Sequence, residues 1–162
     1  MNIALGTRTA TNVEIYFNKT NNDTFRKVLP QKAKTVEEAI EDYKQTLSPD
    51  AKSYGRIILA DGVYVGDIWC YCIDFDDTPN AMISYCIFEP AYWNKGIANE
   101  AIRLFLLEIQ AKYRFQTVGA FTFSDNIPSI KVLEKNSFMM MEELIEDGVP
   151  YKYYEVKFND TK

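Results

Sequence analysis

The residues from Cys86 to Asn99 concentrate the backbone chemistry of this chain. An apolar run through Cys86, Ile87 and Phe88 breaks at Pro90 and passes through Trp93, Asn94, Lys95 and Gly96. From Ile97 onward the pattern is helical. The spacing predicts a strand, a short loop and a helix start. The first turn of a helix holds N–H groups without partners, and the helix dipole adds positive potential there. Gly96 leaves room for a ligand against the backbone, and Ala98 keeps the first turn small. This is the chemistry of a phosphate-type anion held by amides. Neither a Walker A loop nor a Rossmann fingerprint is present, because the Gly-Lys-Ser/Thr end of the one and the three spaced glycines of the other are missing.

The chain contains no histidine. Ser-His-Asp and Cys-His nucleophile systems are therefore excluded in their usual form. A general base has to be a carboxylate, a tyrosine, a lysine or a relayed water. Three cysteines, Cys70, Cys72 and Cys86, without histidine argue against a tetrahedral zinc site. Cys70 and Cys72 sit two apart on a strand pattern, so they are expected on one face, buried and reduced. Reduced thiols make the cytoplasm the default location. The net charge of −5 argues against a nucleic-acid binder, which carries a basic patch. No apolar run approaches the ~20 residues of a membrane span, and no signal peptide is expected. The 162 residues, 47% of them apolar, fit a single domain over 1–162 with a real core.

The elements that must position these groups follow in order. Ile3 to Leu5 is a short strand. Thr11 or Asn12 caps a helix carrying Val13, Ile15, Tyr16 and Phe17. A polar loop from Asn18 to Asp23 follows, and Pro30 breaks the chain. Thr35 and Glu38 form a capping box for a helix with Val36, Ala39, Ile40, Tyr43 and Leu47 on one face. Tyr54 to Ala60, Val63 to Asp74 and Ala81 to Phe88 read as a strand meander, turned at Asp61-Gly62. The helix from Ile97 buries Ala98, Ala101, Ile102, Phe105, Ile109 and Tyr113. A strand at Thr117 to Phe123 leads to a helix with Pro128 in its first turn. A closing hairpin, Phe138 to Leu144 and Tyr151 to Phe158, turns at Glu146-Asp147-Gly148.

Two blocks in this order carry a resemblance. Pro90-Ala-Tyr-Trp93-Asn-Lys-Gly96-Ile-Ala98-Asn-Glu-Ala101 resembles the acetyl-CoA loop of the GNAT N-acetyltransferases, in the branch that acetylates ribosomal-protein N-termini and its relatives. That branch reads Pro-x-Tyr-Trp-Gly-Lys-Gly-Tyr-Ala-Thr-Glu-Ala. Asn126-Ile-Pro-Ser129-Ile-Lys-Val-Leu133-Glu-Lys-Asn-Ser-Phe138 resembles the family's Asn-x-x-Ser-x-x-x-Leu-Glu-Lys-x-Gly-Phe. The likeness is strong from Ile57 to Phe158 and faint before that.

The resemblance implies an α/β (α+β) GNAT fold. Its mixed, mostly antiparallel sheet is splayed at the cofactor site, here Cys86 to Phe88, and flanked by helices. It implies an acetyl-CoA-dependent N-acetyltransferase acting on a small-molecule amine or a peptide N-terminus by direct transfer through a tetrahedral intermediate. Monomer and homodimer both fit. Amides of Asn94 to Asn99, including Lys95, Gly96, Ile97 and Ala98, would face the pyrophosphate, with Trp93 at the family's Gln/Arg position. The pantetheine arm would run along Cys86, Ile87 and Phe88 and meet Asn126. Ser129 matches the serine assigned to the leaving thiolate, and a bound water or Tyr85 is the next candidate acid. The chain also departs from the family. Leu133 stands where many members have a tyrosine acid, and Met82 stands where many have a glutamate base, leaving Asp67, Asp74, Glu89 and Tyr85 as candidates. Ser137 replaces a glycine, so Asn136 is expected to take the left-handed turn. These losses keep open an alternative, a non-catalytic acyl-CoA-binding domain.

Overall fold

A computed structural model describes residues 1–29 and 33–158; Pro30, expected to break the chain, lies outside them. Seven strands form one sheet in the order β1-β2-β3-β4-β5-β7-β6. They are β1 (Ile3–Thr7), β2 (Tyr54–Ala60), β3 (Val63–Asp74), β4 (Asn80–Ile87), β5 (Thr117–Phe123), β6 (Met139–Glu146) and β7 (Val149–Lys157). Helices α1 (Ala10–Thr20), α2 (Asp23–Arg26), α3 (Val36–Gln45), α4 (Ile97–Tyr113) and α5 (Ile127–Lys135) flank it. Every pairing is antiparallel except β4 with β5. That parallel pairing covers Asn80↔Thr117, Ala81↔Val118 and Met82↔Gly119 and then stops. Beyond Met82 the two strands part, so the gap is already open at Cys86, as the mixed, splayed sheet requires.

Local chemistry explains most boundaries. Gly96 caps α4 with φ +79, and Asn94 just before it has φ +60, a region asparagine tolerates better than most residues. One side of α4 is fully buried through Ala101, Ile102, Phe105 and Ile109, packed with Ile58, Val65, Ile68 and Val118 in the main core. Gly66 on β3 lies against β4, since a Cβ there would meet the Cys86 carbonyl oxygen at 2.2 Å.

Several expectations need correction. The cap of α1 is Thr9; its side chain accepts from the amide of Asn12, which is the third helical residue rather than the cap. Asn18 to Thr20 continue the helix, and Asp23 opens α2, so the expected loop shrinks to Asn21 and Asn22. Helix α3 starts at its Thr35 cap as expected but buries no residue fully, and Leu47 lies exposed past its end. Cys72 does not share a buried face with Cys70. The β3–β4 register shifts between Tyr71 and Asp74, Cys72 takes φ +51, and its thiol is exposed while Cys70 and Cys86 are buried. Ser137 itself takes the left-handed turn at φ +69, while Asn136 stays at φ −99. A side-chain amide that donates to the Val132 carbonyl at 2.9 Å holds Asn136 on the helix.

Candidate active site

A cleft of ≈ 1520 Å³ runs from α1 and α3, past the β4–β5 gap, to the N-termini of α4 and α5. Single small-ligand pockets occupy about 300–1,000 Å³, so this cleft has room for two reactants. Of the sequence-predicted residues it is lined by Tyr85, Cys86, Ile87, Trp93, Asn94, Gly96, Ile97, Ala98, Asn99, Asn126 and Ser129; Phe88 and Lys95 do not line it.

Strand alternation decides which β4 groups face the gap. The amide of Phe88 donates to the Val65 carbonyl at 2.9 Å. In an antiparallel pair alternate residues point their backbone groups at the same neighbour, so Phe88 and Cys86 are turned toward β3. Tyr85 and Ile87 are turned the other way, into the space β5 has left. The Ile87 carbonyl on that side accepts from Trp93 Nε1 at 2.8 Å. Trp93 is thus a strut between the loop and the strand end, and its ring also meets Phe25 edge-on at 6.3 Å. The role given to Phe88 is corrected: its amide is engaged with β3, and its ring is buried against Tyr64 and Tyr16.

The first helical bond of α4 runs from the Glu100 amide to the Gly96 carbonyl at 3.2 Å. The amides of Ile97, Ala98 and Asn99 precede it and find no intrahelical acceptor, leaving them free for an anion. No atom of the described residues lies within 4 Å of where a Gly96 Cβ would sit. The Asn99 side chain is directed elsewhere, because its Oδ1 accepts from Asn136 Nδ2 at 2.9 Å and ties α4 to α5. These donors, with the Tyr85 and Ile87 edge, suit a diphosphate joined to an extended amide-bearing arm.

Across the gap, the Tyr85 hydroxyl and Ser129 Oγ are 2.9 Å apart. Asn126 fixes the serine: its Oδ1 caps α5 by accepting from the Ser129 amide at 3.3 Å. The cap of this helix is therefore Asn126, and the Ser129 hydroxyl is left for Tyr85. Burial pushes the Tyr85 hydroxyl above its usual range; the Ser129 bond pulls it down and the neighbouring Cys86 pushes it up further. Tyr85 is therefore a protonated donor at neutral pH. Burial likewise pushes the Cys86 thiol up to about 12, so it is no nucleophile.

The other face of β3 and β4 carries a network that sequence reasoning only half identified. Asp67 Oδ2 pairs with Arg8 Nη2 at 3.1 Å, and its Oδ1 accepts from the Tyr64 hydroxyl at 2.5 Å. Of the four base candidates, Asp67 and Tyr85 line the cleft. Glu89 pairs with Lys19 at 2.7 Å, and Asp74 accepts from the Asp76 amide at 2.9 Å. Arg8 was missed because the signal for it is non-local: it needs Gly55, whose missing side chain leaves the guanidinium its place.

A family model of the acetyltransferase (GNAT) domain matches residues 6–139. The chain belongs to the GNAT acetyltransferase family. The fold of this GNAT chain is similar to that of the Vibrio cholerae spermidine N-acetyltransferase in complex with CoA and spermine, with a TM-score of 0.84, 15% identity, and 96% and 95% of the two chains covered. It is similar to the ribosomal L7/L12 alpha-N-protein acetyltransferase RimL in complex with coenzyme A, at 0.83, 15%, 97% and 94%. It is also similar to the aminoglycoside acetyltransferase AAC(6')-Ib in complex with coenzyme A, at 0.78, 13%, 96% and 95%. No curated protein matches the sequence. The matching domain is an acetyltransferase domain, and each of these three structures was solved with coenzyme A bound. No helix among the described residues is long and apolar enough to cross a membrane.

Proposed function

We propose that this GNAT domain moves acetyl from acetyl-CoA to a primary amine by direct transfer, with Ser129, backed by Tyr85, protonating the leaving sulfur. The observation that carries this reading is the 2.9 Å contact between the two hydroxyls across the β4–β5 gap. When bound, acetyl-CoA supplies an activated acetyl group and a thiolate that must be protonated. The free amides of Ile97, Ala98 and Asn99 hold phosphate charge. The outward backbone of Tyr85 and Ile87 pairs with the arm as an added strand. As the C–S bond breaks, Ser129 Oγ gives its proton to the sulfur and recovers one from Tyr85 Oη; the proton released by the attacking amine, carried through water in the cleft, restores Tyr85, whose burial favours the protonated form. Three free thiols, Cys72 exposed among them, suit a reducing, cytoplasmic setting.

One observation favours a second reading. Leu133 is buried in the core, and Met82 Sδ lies against Gly119, so neither family position moves a proton here. A non-catalytic acyl-CoA-binding domain would have that character. Thiol release from acetyl-CoA with a panel of primary amines separates the two. Release that depends on an amine supports transfer. Calorimetric binding of acetyl-CoA with no amine-dependent release would leave the binding domain.

A further inference from the structure

The acceptor half of the cleft, on the α1 and α3 side of β4, is poor in available negative charge and rich in rings. Among the described residues, the carboxylates that line the cleft are Asp42, Asp67 and Glu146, and basic side chains outnumber them. Asp67 is buried and already holds Arg8 and Tyr64. Asp42 and Glu146 are exposed on α3 and β6, where a carboxylate adds at most about fivefold to the binding of a cation.

The rings are placed by strand register. Asp67 faces Cys86, Trp69 faces Ser84 and Tyr71 faces Met82 across β3 and β4. Successive residues alternate faces, so Asp67, Trp69 and Tyr71 share the face covered by α1 and α3. Tyr16 of α1 meets Trp69 edge-on at 6.2 Å. Its hydroxyl lies beside the buried Cys86 side chain. The Tyr43 hydroxyl donates to the Arg8 carbonyl at 2.9 Å and is thus engaged with the protein. On the opposite wall Phe123 and Tyr151 stack at 4.8 Å.

Resting on the acetyl-transfer reading, we propose that the acceptor is a singly charged amine on a flat aromatic or large apolar body, not a polycation. A polyamine or an aminoglycoside loses the hydration of several ammonium groups on entry and needs several carboxylates to replace it. Among its described residues the cleft offers two that are exposed and one that is taken. A single ammonium on an aromatic body needs little more than ring faces, where contact with a cation gains roughly 5- to 30-fold. Such an amine comes from two sources, a small arylalkylamine or a polypeptide that begins with an aromatic residue.

Calorimetry tests this with 2-phenylethylamine, a tripeptide amide beginning with Phe, and spermine, each titrated with and without CoA. At least one aromatic amine is expected to bind about tenfold or more tightly than spermine. Whichever aromatic probe binds tighter identifies the source. Trp69→Leu is expected to weaken that probe about tenfold and to leave CoA affinity unchanged; Tyr71→Leu is the substitute if Trp69→Leu does not fold. Spermine binding as tightly as the aromatic amines would overturn the proposal, as would aromatic binding indifferent to both ring substitutions. CoA titrated alone tests the cofactor reading separately, so loss of that reading is not confused with loss of this one.

Discussion

Replacing Ser129 with alanine removes one of the two hydroxyls that face each other across the β4–β5 gap. Two consequences follow from the geometry, and they differ in size. The Tyr85 hydroxyl, 2.9 Å from Ser129 Oγ, loses its side-chain partner. Because Tyr85 is half-buried, the stability cost should sit near the low end for an unsatisfied group, about 1 kcal/mol. The amide bond to Asn126 survives, since it uses the Ser129 backbone. The catalytic cost should be larger. Loss of a positioned acid costs roughly 10²-fold in turnover, or about 2.7 kcal/mol at the barrier. Acetyl-CoA affinity should hold, because the interaction strengthens only as charge develops on sulfur. Single-turnover thiol release isolates the chemical step. Tyr85→Phe should slow that step about tenfold if Tyr85 reprotonates Ser129, less than the roughly 10²-fold of a direct acid, because Tyr85 acts one hydrogen bond away from the sulfur. The double variant should be no slower than Ser129→Ala, since groups acting as one unit are not additive. Turnover of Ser129→Ala within a few-fold of normal would refute the acid role, and additive losses would refute the relay. The pH dependence carries a sign. Folding raises the Tyr85 pKa above its unfolded value near 10, so its share of stability is complete below about pH 10. That share is lost as pH climbs through the folded value. Turnover should therefore show no Tyr85-dependent decline from pH 7 to about 10.

Three further outcomes are expected. Gly96→Ala meets no protein atom within 4 Å but must hold φ +79, so it should cost about 1–2 kcal/mol in denaturant unfolding, while CoA affinity measured by calorimetry falls more than tenfold as the new methyl shields the α4 amides. Gly66→Ala drives a methyl to 2.2 Å from the Cys86 carbonyl oxygen, and overpacking against backbone should cost about 3 kcal/mol; an unchanged Tm would contradict the β3–β4 approach. Iodoacetamide at pH 8 should modify Cys72 alone, because Cys70 and Cys86 are buried and each thiol is pushed up to about 12. Mass spectrometry that finds three adducts on folded protein would contradict their burial.

What could be read from the chain was what neighbouring residues decide. Gly96 needs a left-handed turn at a helix start, and Asn94 tolerates positive φ, so the α4 loop follows from its own residues. The Thr35 cap and the Asp61-Gly62 turn are equally local, although the expected box does not close, because Glu38 Oε2 accepts from the Lys34 amide at 2.8 Å rather than from that of Thr35. What could not be read was decided across the sheet. Thr9, Thr11 and Asn12 are all acceptable caps by type. Thr9 takes the position because Asn12 reciprocates, accepting from its amide and hydroxyl. Cys72 leaves the expected face because β3 shifts register against β4, which no strand pattern records. Arg8 becomes the partner of Asp67 through a pairing of β1 with β2 that brings Gly55 beneath it.

The same distinction bears on the site. The resemblance supplied Ser129 and Tyr85 separately, one on a helix start and one on a strand, with nothing in the sequence to say that they touch. Their contact follows from where the parallel pairing stops. Met82 and Gly119 are the last paired residues, and Gly119 leaves no room for a side chain, since a Cβ there would lie 2.6 Å from the Tyr153 hydroxyl and 2.9 Å from Met82 Sδ. Past that point β5 runs on with β7, not β4. Helix α5 follows β5 directly, so its first turn is carried opposite the part of β4 that has lost a neighbour. Ser129 therefore meets Tyr85 where the β4 backbone is free to pair with something else. The opening beside β4 and the hydroxyl pair that the proposed transfer uses are two results of one interrupted strand pairing.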